Sequence, residues 1–308
     1  MKKLAGVVTA VPTMIDSNLT VRKDWMESLI KHILAGKVDG LYPCGTTGEM
    51  LYLSINERKL IAETVVKTRN DVKSDAVVYI HAGAARVEDT VELIQHAQAI
   101  GADGAGVVTP WYYKLDDQAL FEFYDRVFSQ VSSSFPLYVY NIPQLSGNDL
   151  KPSSIRDLKA KYSNLLGVKY SFSDFNRLKE YVALEGIEVL IGADVQMVES
   201  MIVGAVGTIS GLSSVYPTLF SEIYRLFKAG SISEAMKLET YAYELGCIMK
   251  HGGNLSMFKA ALALRGLPES IVKPPLRNMT SDEKHAFLNT LEQWSERLNQ
   301  NYPLLLQG

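Results

Sequence analysis

Cysteine is scarce in this chain: Cys44 and Cys247 are its only two, too few for a disulfide framework and too far apart for a metal-binding pair. The five histidines, His32, His81, His96, His251 and His285, are scattered, so no ligand set with metal spacing forms. No metal and no cofactor are expected, and a reducing, cytoplasmic setting is. Blocks of like charge are missing too. With 31 basic against 34 acidic residues the net charge is −3, and no run of Lys and Arg is available to follow a phosphate backbone or an anionic membrane. Nucleic acid and membrane are therefore not expected partners. Nor does any apolar stretch approach the ~20 residues of a membrane-spanning helix. The opening MKKLAGVVTAV imitates a secretory leader, but Pro12 and Asp16 close its apolar run and no small-x-small cleavage site follows. It reads instead as a first buried strand.

Phosphate-loop signatures are also absent. The turn after the first run, TAVPTMIDSN, lacks the glycine-rich dinucleotide fingerprint, and no GxxxxGK(S/T) occurs, which argues against an open doubly wound sheet. What is present is a chain of 308 residues that is 47% hydrophobic, enough for one large core. Short apolar runs at 6–11, 40–44, 77–80, 104–108, 137–140, 166–169, 189–191 and 206–210 read as eight buried parallel strands. Amphipathic stretches such as 24–35, 55–68, 87–100 and 119–131 separate them, the second opened by a Ser54/Glu57 capping-box spacing. Beyond Val215 the pattern turns to helix alone, at 216–229, 232–249, 256–265 and 282–299. The expected fold is α/β: a (β/α)8 TIM barrel over residues 1–215, with C-terminal helices over 216–308 completing the barrel and packing on it.

In such a barrel the reacting groups sit at the C-terminal ends of strands. Three segments there are chemically loaded. Gly45-Thr46-Thr47-Gly48-Glu49 leaves the second strand with two hydroxyls between glycines; backbone N–H groups and hydroxyls can converge there on a carboxylate, although such a turn is commonly no more than a turn. At the fifth strand, alternation puts Tyr138 and Tyr140 on one face with Tyr140 nearest the mouth, where a phenol can relay a proton or simply pack. At the sixth, Lys169 closes an apolar strand. Burial disfavours its ammonium, and a neutral amine attacks carbonyls; the structural alternative is a lysine paired with a carboxylate.

Taken together and in order, these segments resemble the dihydrodipicolinate synthase and N-acetylneuraminate lyase family of class I, Schiff-base aldolases, through essentially the whole chain. The family's GTTGE loop is matched at 45–49, its YN-x-P tyrosine at Tyr140-Asn141-Ile142-Pro143, and its G-x-K lysine at Gly167-Val168-Lys169. The resemblance implies that Lys169 forms the imine with pyruvate or a related 2-oxo acid, that Thr46 and Thr47 hold the carboxylate, and that Tyr140 shuttles the proton. Val108-Thr109-Pro110-Trp111-Tyr112-Tyr113 matches the family's VTP-aromatic-Tyr segment. There the tyrosine at the Tyr112 position assists the relay, in some members from a neighbouring subunit. Glu49 is expected to be structural, bonding the loop backbone, and the assembly to be a homotetramer of tight dimers.

The second substrate is less determined. Synthases that condense pyruvate with aspartate semialdehyde carry an arginine two residues after the YN-x-P proline, where this chain has Leu145, and a leucine supplies no bidentate cation. The run YNIPQLSG at 140–147 looks instead like the YNIPxLSG of sialic acid lyases, with Ser171 at a substrate-contacting position and Gly192 and Asp194 also matched. Yet Val195 stands where an acidic residue would bind the sugar's glycerol tail, and Gly211 where a serine hydroxyl would be expected. These residues point to reversible aldol cleavage of a 2-oxo-3-deoxy sugar acid, by an N-acetylneuraminate lyase-like enzyme acting on a different or shorter polyol. Sialic acid lyase itself, 4-hydroxy-tetrahydrodipicolinate synthase, a dehydratase of similar acids and a non-catalytic 2-oxo acid-binding barrel are the alternatives.

Overall fold

The computed structural model describes residues 1–303 and Leu305. Eight strands, β1 Gly6–Ala10, β2 Gly40–Tyr42, β3 Val77–His81, β4 Gly104–Val108, β5 Leu137–Asn141, β6 Leu165–Tyr170, β7 Glu188–Ile191 and β8 Gly207–Ser210, close into one parallel barrel in sequence order. All eight expected strands are there, each within two residues of its expected bounds. Their side chains are buried on both faces, which is why they read as apolar runs rather than as alternating ones. Outward residues such as Val7, Leu41, Val107, Val139 and Val168 join the core beneath the helices, while Val8, Tyr42, Tyr79, Tyr138, Leu166 and Leu190 fill the barrel. Tyrosines fill it because small residues face them. A Cβ on Gly106 would lie 2.0 Å from the Tyr42 hydroxyl, so only glycine lets that ring cross the barrel.

Twelve α-helices lie among the described residues: α1 Lys23–Ala35, α2 Ile55–Asp71, α3 Val87–Ala99, α4 Asp117–Phe128, α5 Pro143–Ser146, α6 Pro152–Lys161, α7 Phe175–Val182, α8 Met197–Ile202, α9 Pro217–Lys228, α10 Ile232–Ile248, α11 Leu255–Leu264 and α12 Ser281–Asn301. The capping box at α2 forms as its spacing predicts: Glu57 N–H donates to Ser54 Oγ at 3.2 Å and Ser54 N–H to Glu57 Oε2 at 2.8 Å. α9 packs on α1 and β1 and so closes the helical ring, and α10 packs on α9, α8 and α12. In α12 Trp294 is buried edge-on against Tyr216, with ring centroids 4.9 Å apart. Residues 304 and 306–308 of the expected extension lie outside the described residues. No described helix is long and apolar enough to cross a membrane.

Candidate active site

Parallel pairing in β5 and β6 sets the centre of the site. Tyr140 and Lys169 are direct partners in the register, both are inward, and both are buried, 2% and 4% exposed. The Lys169 ammonium lies 4.0 Å from the Tyr140 ring centroid and 4.8 Å from that of Tyr42, so two aromatic faces take the place of a counter-ion. Among the described residues Lys169 enters no salt bridge. That removes the structural alternative of a lysine paired with a carboxylate.

The Tyr140 hydroxyl lies 3.2 Å from Thr46 Oγ1, joining β5 to the loop after β2. This loop is a tight turn bounded by left-handed residues, Cys44 at φ 62 and Glu49 at φ 63, a cost that is retained where geometry matters. The N–H groups of Gly48, Glu49 and Met50 donate to the turn's own carbonyls. Among the described residues no backbone carbonyl takes those of Thr46 and Thr47, which leaves two donors that the turn itself does not use. Glu49 is structural, as expected, but it does not bond the loop backbone. It is buried and reaches the C-terminal helices: Oε1 pairs with Lys259 Nζ of α11 at 2.7 Å, and Oε2 accepts from Lys273 N–H at 2.8 Å. The expected partner was local because sequence reading sees only neighbours; the actual ones are more than 200 positions away.

Behind the tyrosine lies a wholly buried polar floor. His81 Nδ1 donates to the Cys44 carbonyl at 2.9 Å, and Arg58 donates to the carbonyls of Gly83 and His81 at 2.8 and 2.7 Å. Burial, with the nearby charges of Arg58 and Lys169, holds the His81 imidazole well below its ordinary pKa, so the ring set edge-on to Tyr140 at 6.0 Å is neutral. Burial also pushes the Cys44 thiol up to about 11, which leaves it an inert packing group. Sequence reading missed Tyr42 and His81. Inward alternation along β2 and β3 was the available signal for both.

Two cavities of 330 Å³ each open beside this centre. One is largely apolar, bounded by Thr46, Met50, Trp111, Ile142, Leu145 and Leu276. The other is polar and takes in Ser171, Gly192, Asp194, Val195 and the C-terminal residues Gly246 and His251. Its carboxylate, Asp194, accepts from Leu212 N–H at 3.2 Å through Oδ2, while Oδ1 has no hydrogen-bond partner. Burial pushes Asp194 up to about 6, against the pull of Ser210, Leu212 N–H and the Lys169 charge. The Gly211 backbone adjoins Asp194, and a Cβ on it would stand 3.2 Å from Thr47 Oγ1. Tyr112 is apart from all of these, 87% exposed at φ 81, its ring touching only that of Tyr113 at 5.0 Å.

This geometry has close counterparts. Residues 3–294 match the model of the dihydrodipicolinate synthetase family. An uncharacterized DapA-like lyase of Halobacterium salinarum is 34% identical over 284 residues, 92% of this chain and 91% of that one. A probable 2-dehydro-3-deoxy-D-pentonate aldolase of Escherichia coli is 28% identical over 291 residues, 92% of this chain and 95% of that one. Among solved structures, a prophage protein of the dihydrodipicolinic acid synthase family from E. coli K12, in complex with pyruvate, superposes with a TM-score of 0.88 at 26% identity, covering 94% of this chain and 98% of that one. The chain belongs to the dihydrodipicolinate synthetase family and is a lyase of its class I, lysine Schiff-base type.

Proposed function

We propose that Lys169 condenses with a 2-oxo acid such as pyruvate, losing water to form an imine, and that the enzyme reversibly cleaves a 2-oxo-3-deoxy sugar acid to release it. One observation carries the reading: Lys169 Nζ stands 4.0 Å over the ring of Tyr140, whose hydroxyl contacts Thr46 Oγ1 at 3.2 Å. Nucleophile, proton relay and anion loop thus meet at one point. The substrate carboxylate takes the unclaimed N–H groups and hydroxyls of Thr46 and Thr47. Tyr140, in contact with Thr46, carries the proton to and from the reacting hydroxyl. The cationic imine withdraws electrons from the C3–C4 bond, so loss of the C4 hydroxyl proton expels that fragment as an aldehyde and leaves an enamine; protonation at C3 gives the pyruvate imine, which water hydrolyses to free pyruvate and Lys169. Tyr112, exposed and left-handed on its own subunit, completes the relay from a neighbour, in a tetramer built from tight dimers and located in the cytoplasm.

The sugar acid is favoured over aspartate semialdehyde because Leu145 borders an apolar cavity whose wall carries no arginine or lysine. The pentonate aldolase named among the relatives points the same way. N-acetylneuraminate cleavage keeps Asp194 but lacks an acid at Val195. The deciding experiment is pyruvate with borohydride followed by mass spectrometry. An adduct on Lys169, abolished in Lys169→Ala, is expected; an adduct on another lysine, or none, overturns the assignment.

A further inference from the structure

The polar cavity ends on a part of the chain that the barrel itself does not supply. Between α10 and α11 the backbone turns through three consecutive left-handed residues, Lys250 at φ 49, His251 at φ 48 and Gly252 at φ 77. Two of these are not glycine. Such conformations are unfavourable for side-chain-bearing residues and persist where the surroundings impose them. The corner sets His251 on the rim of the cavity, where it is exposed, as is Lys250. Gly246, one turn back on α10, makes the approach possible: a Cβ there would meet Val195 Cγ1 at 2.5 Å and His251 Nδ1 at 3.3 Å. The imidazole is steadied from its far side, with Cys247 Sγ 3.9 Å from Nε2 and the Tyr243 ring edge-on at 6.4 Å. Nδ1 is the ring nitrogen nearer Gly246.

Resting on the sugar-acid reading above, we propose that His251 is a specificity-determining residue: it binds a hydroxyl at the far end of the substrate's polyol tail and so selects for chain length. The chemistry of the cavity favours a neutral hydroxylated tail. Its wall has no lysine or arginine, so a tail ending in carboxylate or phosphate finds no cation and faces Asp194. An apolar tail would meet a wall that includes Ser171, Ser173, Asp194 and Gln196 and could bond none of them. A hydroxyl both donates and accepts, so it matches either tautomer of His251. Size is compatible. The 330 Å³ cavity corresponds to about eleven waters at roughly 30 Å³ each, ample for the three carbons and three hydroxyls that a hexonate carries beyond C3. A pentonate, one carbon shorter, stops before the rim.

The test compares wild type, His251→Ala and His251→Asn on 2-oxo-3-deoxy hexonate and pentonate, with pyruvate–borohydride trapping in parallel. His251→Ala should lower kcat/KM for the hexonate by about 10-fold, as loss of a partner for one hydroxyl implies, with a change of less than about 3-fold for the pentonate. Trapping should be unchanged, and His251→Asn should recover part of the loss. An equal loss on both acids, or no loss on the hexonate, overturns the assignment and leaves the sugar-acid reading standing. Wild-type enzyme that is trapped by pyruvate yet cleaves neither acid overturns both.

Discussion

Lys259→Met isolates the contact by which the C-terminal helices hold the Thr46–Thr47 loop. The Lys259 and Glu49 side chains are 2% and 0% exposed, with Nζ and Oε1 2.7 Å apart, and Lys259 also donates to the Thr13 carbonyl. Methionine keeps most of the volume but strands the carboxylate with one remaining donor, Lys273 N–H. Removing one partner of a buried pair costs about 3–5 kcal/mol, a large share of the roughly 5–15 kcal/mol that holds a typical protein together. Adding Glu49→Gln to Lys259→Met removes the stranded charge while its carbonyl still accepts from Lys273. The double variant should therefore be about 1.5–3 kcal/mol more stable than the single one, retaining mainly the cost of lost hydrogen bonds. Urea denaturation followed by circular dichroism, at equal protein concentrations, measures both. A Lys259→Met deficit below about 1 kcal/mol, or a double variant less stable than either single, would refute the reasoning.

Tyr140→Phe should lower kcat by about 10²–10⁴-fold with a smaller effect on KM, while the fold is kept; near-normal kcat in steady-state assays returns Tyr140 to packing. Glu239, buried on α10, accepts from Val198 N–H of α8 at 2.7 Å, and burial pushes its carboxyl from the usual 4.5 up to about 7. Because the folded state binds this proton more tightly than the unfolded state, the group withdraws stability as pH rises from about 4.5 through 7, by about 3 kcal/mol in all. Thermal melts of Glu239→Gln across that window should be flatter than wild type by this amount, and parallel curves would contradict it. Exhaustive EDTA treatment should leave turnover unchanged, since the protonated imine is its own electron sink; loss of activity restored by one metal would place the enzyme in another mechanistic class.

The barrel was legible because its strands are buried on both faces and so appear as apolar runs at regular intervals. The helices read from the sequence are the long ones, with clear caps or wide apolar stripes. The short α5 at Pro143–Ser146 and α8 at Met197–Ile202 offer too few turns for a period to emerge. Lys169, Tyr140 and Thr46 were legible as motifs, because each sits in a turn or strand end with local chemical character. Lys259, Glu239 and His251 were not. Each lies in the C-terminal helical region and meets a distant loop or helix of the barrel, and nothing in a helical pattern says which polar residue does so. The partner of Glu49 was misread for the same reason.

The register of β5 and β6 separates two things that loops usually mix. Tyr140 and Lys169 face each other across one rung of a hydrogen-bonded ladder, so their spacing follows the distance between strands, about 4.8 Å. No loop length or loop sequence enters that distance. The residues proposed to meet the second substrate, by contrast, stand on the segments after β6 and β7 and on the corner after α10, which can be lengthened, shortened or recoiled without moving the rung. The barrel works as a fixed jig for the 2-oxo acid, with interchangeable fittings around it. A change of substrate in this architecture is a change of fittings, and an altered Lys169–Tyr140 geometry requires a slip of the sheet itself.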